Sequence, residues 1–128
     1  MQKSIVIRGV LLITFAIVLG AFLAHTLRDS FSPDQMKSFE TGVKYQFYSG
    51  FFLLILGLNK SKFNFPIKRV GNIFFIGGCL FSFSIYLLNL FPDSSFTRVL
   101  GPITPVGGTL MIAALILFVL KLLKTHQG

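Results

Sequence analysis

Acidic residues are scarce in this chain: four, against twelve lysines and arginines, in 128 residues, with charged residues of both signs making up only 12% of the whole. A water-soluble globule needs more polar surface than that, and with 53% hydrophobic residues and a mean hydropathy of +0.77 the balance has to be covered by lipid. Cysteine is nearly missing too. The single Cys79 excludes an intramolecular disulfide and any zinc site built on a cysteine pair, and it lies in the middle of an apolar run. No Gly-rich phosphate loop is present, and no dinucleotide fingerprint follows a strand. The net charge of +8 would suggest nucleic acid in a soluble protein. Here the cations stand between apolar stretches, so they read as contacts with anionic lipid, and no nucleic-acid partner is expected.

What is there reads as four membrane spans joined by short loops. Each needs roughly 20 mainly apolar residues, which leaves no room for a soluble domain. Lys3 and Arg8 precede an uncharged stretch from Gly9 to Ala24. It is long for the core of a signal peptide, and a cut after Ala24 would put the bulky Phe22 where a small residue belongs, so a retained helix over about residues 5–25 is expected. On a 3.6-residue period Gly9, Ala16 and Gly20 form one small stripe, a face suited to close packing.

Ser32-Pro33-Asp34-Gln35 is a capping box with proline at the first helical position, so the second helix starts at Pro33. It is expected to run to about Leu58. Its first ten residues are too charged for hydrocarbon and should lie in the interface, with the span proper over about 43–58 and Tyr45 and Tyr48 in the aromatic belt. Lys60, Lys62, Lys68 and Arg69 then fall in a loop without one acid, a surface for anionic lipid. The third span, about 70–90, aligns Gly71, Gly78, Ser82 and Asn89 in a small and polar seam. Thr104-Pro105 reads as cap and first residue of the fourth span, about 105–123. The fold expected is therefore all-α: one four-helix transmembrane bundle.

Counting lysines and arginines in the short loops puts Lys3, Arg8, Lys60, Lys62, Lys68, Arg69, Lys121 and Lys124 on one side and Arg28, Lys37, Lys44 and Arg98 on the other. The richer side is cytoplasmic. Both termini are thus expected inside.

The stretches GAFLAH (20–25), TGVKYQFY (41–48), LFSFSIYLL (80–88) and GPITPVGG (101–108), taken in that order over nearly the whole chain, resemble the YgdD-like family of small four-span membrane proteins, a family without known function. The resemblance implies a four-span fold and a place in the bacterial inner membrane, and it carries no reaction, cofactor or substrate. His25 matches the histidine that ends the family's first motif, and Tyr45 and Gln46 its Tyr-Gln pair; Ser49 stands where many relatives have a second histidine.

His25, Glu40, Lys44, Tyr45, Gln46, Ser49, Tyr86, Asn89 and Thr104 all fall toward the outer ends of their spans, so a polar cluster at the bundle mouth is the candidate site. His25 is expected to touch the start of the second helix near Glu40 or Lys44, because only a short loop separates them. Each residue also has a plainer reading. Glu40 and Lys44 form an i, i+4 pair in the favourable order, His25 suits an interfacial hydrogen bond, and Gln46 and Ser49 share a face with Gly42 that suits bonds between helices. A nucleophile needs a base and an orienting group, and zinc needs three or four ligands; neither set is present, so no enzyme activity, metal or cofactor is expected. The sixteen phenylalanines read as lipid matching and packing. The favoured function is a structural or auxiliary membrane protein, supporting membrane integrity or a larger complex, with a membrane-protein partner or a second copy. The alternative is an oligomeric transporter or channel for ions or small solutes. The absence of charged residues from the central portions of the spans favours the first.

Overall fold

A computed structural model describes residues 1–125. Among them are four α-helices and no strand: α1 (Lys3–Phe22), α2 (Pro33–Leu58), α3 (Lys68–Leu90) and α4 (Thr97–Thr125). A π-helical turn, Leu23–Leu27, extends α1, and one 3-10 turn, Lys60–Lys62, follows α2. Three helical segments are long and apolar enough to cross a membrane: Lys3–Leu27, Lys68–Leu90 and Thr97–Thr125. α2 falls short on composition, because Asp34, Lys37, Glu40 and Lys44 occupy its first half.

α2 and α3 are the middle pair of the bundle, and α2 joins α1 to the rest. It packs along α1 on one side and α3 on the other, and α4 packs mainly on α3. Its start is the capping box read from the sequence, with Ser32 Oγ accepting from the Gln35 N–H at 3.2 Å and Gln35 Oε1 accepting from the Ser32 N–H at 2.9 Å.

Glycine lets the backbones meet. A Cβ at Gly9 would sit 2.8 Å from the Gly50 carbonyl, and one at Gly57 2.8 Å from the Val6 side chain, so α1 and α2 touch with nothing between them. The Gln2 N–H also donates to the Gly57 carbonyl at 2.9 Å, tying the start of α1 to the end of α2. At the α3–α4 crossing, a Cβ on Gly77 would come within 2.8 Å of the Gly107 carbonyl. Of the stripe read on α1, Gly9 and Ala16 are buried, while Gly20 is only half-buried and would accept a methyl at 3.6 Å from Val43. On α3, Gly71 meets Ile5 and Gly78 meets Ser49. Lysines 60, 62 and 68 and Arg69 are all exposed.

α4 begins at Thr97, eight residues before the expected Pro105, and carries both Pro102 and Pro105 inside it. A proline has the φ a helix needs but removes its N–H and crowds the carbonyl four residues back, leaving the carbonyls of Arg98 and Gly101 without a ladder partner. Membrane helices tolerate such gaps. Thr104 is consequently a mid-helix residue and not a cap.

Candidate functional site

The polar side chains form a vertical joint between α2 and α3. Gln46, 1% exposed, donates through Nε2 to the Leu12 carbonyl of α1 at 2.9 Å and accepts from the Tyr86 hydroxyl of α3 at 2.5 Å, so one amide links three helices. Beside it, Ser82 Oγ donates to the carbonyl of Gly42, four residues before Gln46 on α2, at 2.8 Å. Gly42 has no side chain because the Tyr86 ring occupies the space; a Cβ there would lie 2.7 Å from it. Nearer the mouth, Asn89 Nδ2 donates to Ser38 Oγ at 2.9 Å and to the Ile85 carbonyl at 2.8 Å. Ser49 is fully buried against Gly78 and returns its hydroxyl to the Tyr45 carbonyl of its own helix at 2.7 Å. Among the described residues, no buried side-chain nitrogen or oxygen lacks a partner.

The nine candidates therefore divide. Gln46, Ser49, Tyr86 and Asn89 lie inside the bundle. Thr104 joins the α3–α4 seam, its Oγ1 2.6 Å from Ser84 Oγ. Glu40 and Lys44 pair at 3.7 Å with more than half of each side chain exposed, and they line an outer cleft of about 450 Å³ between α1 and α2.

His25 is not with them. It is exposed, and it makes no hydrogen bond or ion pair to Glu40 or Lys44. The reason is helical geometry: Leu23 and Leu27 turn inward onto Phe39, and a residue midway between two inward positions on a helix points outward.

Tyr45 and Tyr48, expected in an aromatic belt, are both exposed on the bundle surface. They stack edge-on to each other at 5.6 Å, and Tyr45 lies 4.7 Å from the Phe81 ring in a cleft that reaches Gly108 and Met111 of α4. Phe81 stands thirteen residues beyond Lys68 and nine before Leu90, about 20 and 14 Å along the helix, so the pair sits near the middle of α3.

Four participants escaped the sequence reading: Ser38, Ser84, Arg8 as more than a flanking charge, and Asn72. Arg8 Nη1 donates to Asn72 Oδ1 at 2.5 Å and its guanidinium lies 5.1 Å from the Phe75 ring centre. Nothing in the local sequence pairs residues 64 apart; the only hint was a polar group one turn inside each apolar stretch. No group of three His, Cys, Asp or Glu side chains able to hold a metal occurs among the described residues.

The comparisons agree with a membrane location. A family model described as a protein of unknown function, DUF423, matches residues 19–108. A UPF0382 membrane protein of Staphylococcus epidermidis is 37% identical over 123 residues, 96% of this chain and 98% of that one. The UPF0382 membrane protein YwdK of Bacillus subtilis is 32% identical over 125 residues, again 96% of this chain and 98% of that one. No solved structure matches. The resemblance read from the four motifs thus holds for an uncharacterised membrane family, whose supported names are DUF423 and UPF0382 in place of YgdD-like.

Proposed function

This chain belongs to the DUF423 family of UPF0382 membrane proteins, and from that premise we propose that it is a non-enzymatic protein of the bacterial cytoplasmic membrane. It crosses four times, keeps both termini inside, and serves as a structural or auxiliary component of the membrane or of a larger complex. The single observation that carries the reading is how the interior polar groups are used. Gln46, Ser82, Tyr86 and Asn89 spend their hydrogen bonds on neighbouring helices or on their own. That makes the bundle centre a joint, whereas a pathway or a catalytic centre needs convergent groups left free for a ligand.

The fourth crossing is α2. It touches α1 from Gly57, beside Gln2 and Val6, to Val43, beside Gly20, and so runs nearly the length of a helix that is itself long and apolar enough to span. Low hydropathy in α2 has a physical explanation: its inward face meets protein, not lipid, and its two mid-helix charges, Glu40 and Lys44, offset each other. The eight-to-four distribution of cations supports cytoplasmic termini. α4, whose outer face is apolar at Ile112, Ile116, Val119 and Leu123, is the flank for lipid or a partner.

Purification in mild detergent followed by mass spectrometry tests the auxiliary role. A membrane-protein partner or a defined oligomer is the expected result. Movement of solute across proteoliposomes by the purified protein, as monomer or oligomer, would overturn it.

A further inference from the structure

Arg8 is a cation without a counter-charge. It stands five residues beyond Lys3 on α1, about 7.5 Å deeper along the helix, and it is half-buried where α1 faces α3. A long arginine stem at that depth ordinarily turns its head back to the water. Here the head turns sideways onto α3, at about its own level, where Gly71 meets Ile5. Its two contacts, Asn72 and Phe75, lie four and seven residues past Lys68, one and two turns inside α3. Three of the four acids, Asp29, Asp34 and Asp93, lie at the opposite ends of the helices, and the fourth, Glu40, is paired with Lys44. Among the described residues no carboxylate pairs with Arg8, and no protein group accepts from its other N–H donors.

We propose that the seam between α1 and α3 at Arg8 binds the phosphate of one anionic phospholipid; this rests on the reading that both helices lie in a membrane. A guanidinium with one nitrogen fixed still offers N–H groups in the planar fork that matches two phosphate oxygens. Asn72 is the positioning residue, since its amide oxygen holds the guanidinium inside the seam. Lys68 supplies a second cation: it precedes Asn72 by four residues and so shares its face of α3. The start of α3 has no side-chain cap, so its free N–H groups add to the positive field. The Phe75 ring and the exposed Ile7 and Leu11 of α1 are apolar surface for acyl chains. A lipid with a trimethylammonium group has the same phosphate but brings a positive charge against Lys68. The site therefore selects an anionic headgroup, and its depth selects lipid over free phosphate.

The test uses the full chain in nonionic detergent, stripped of lipid, with phosphatidylglycerol or phosphatidylcholine added back and adducts read by native mass spectrometry. Phosphatidylglycerol should bind one per chain, roughly tenfold more tightly than phosphatidylcholine. Arg8→Gln should abolish the preference, a loss of roughly tenfold or more. Asn72→Leu should weaken it while Arg8→Lys retains part, and both keep the test open if Arg8→Gln lowers helical content. Lys60→Gln with Lys62→Gln should change binding by less than about twofold, because exposed loop charges add little each. Equal binding of both lipids, or undiminished phosphatidylglycerol binding in Arg8→Gln, would overturn the site. So would displacement of the lipid by an equal concentration of inorganic phosphate. The readout is independent of span count and partner, so its failure and that of the proposed function are separable.

Discussion

Removing the carboxamide of Gln46 tests the interior joint in isolation. Gln46→Leu keeps the side-chain bulk and deletes two bonds at once, the donation to Leu12 and the acceptance from Tyr86. The first loss is cheap, because the Leu12 carbonyl faces its own helical ladder. The second is not. Tyr86 is 5% exposed, and its buried hydroxyl would lose its acceptor and keep only the neighbouring Ser82 hydroxyl, a penalty of up to about 1–3 kcal/mol. Tyr86→Phe removes the donor and leaves the buried Gln46 Oε1 without its partner, so its cost should likewise be about 1–3 kcal/mol. Combining the two removes both ends of the interaction and the orphan together, so the double variant should cost less than the sum by about 0.6–1.7 kcal/mol, the range seen for hydrogen bonds between membrane helices. The chain has no tryptophan, so unfolding in mixed micelles is best followed by far-UV circular dichroism. Additivity of the two changes to within about 0.3 kcal/mol would refute the Gln46–Tyr86 joint.

Glycine contacts and the mouth residues give further tests. Gly9→Val should destabilise the bundle by about 1–3 kcal/mol or more, because the new Cβ meets the Gly50 carbonyl and Leu54 backbone, neither of which can yield; Gly101→Ala, with nothing within 4 Å, should be neutral or stabilising by up to about 1 kcal/mol in the same melts. His25→Ala and Glu40→Ala should be strictly additive, since the exposed histidine makes no hydrogen bond or ion pair to the carboxylate, and a coupling above about 0.5 kcal/mol would contradict that separation. Cys79 lies eleven residues inside α3 and should resist a water-soluble maleimide in intact membranes; rapid labelling would reveal a water-filled cavity.

Much of this fold was legible because its signals are local. The Ser32 to Gln35 box marks the start of α2 by chemistry contained in four residues, and Gly9 and Ala16 declare a packing face by periodicity alone. The start of α4 was misread for the same reason. Thr104-Pro105 is a good local cap, and only packing against α3 at Gly77 and Ser84 explains why the helix continues through both prolines. The site was half legible. Face arithmetic indicated that Gln46 and Ser49 point inward with Gly42, but no periodicity says that Tyr86 reaches Gln46 or that Arg8 reaches Asn72, because those pairs depend on the relative height of separate helices. His25 was misplaced by assuming that a short loop brings its flanking residues together, when the inward positions already belonged to Leu23 and Leu27.

The central claim is that α2 crosses the membrane as its neighbours do, and the two loops flanking it test that most directly. With Cys79 replaced, single cysteines at Ser30 and Ser61 can be challenged with an impermeant maleimide in intact cells and again after permeabilisation. The cysteine at position 30 should label in intact cells, and the one at position 61 only after permeabilisation. Labelling of both from the same side would show that α2 does not cross.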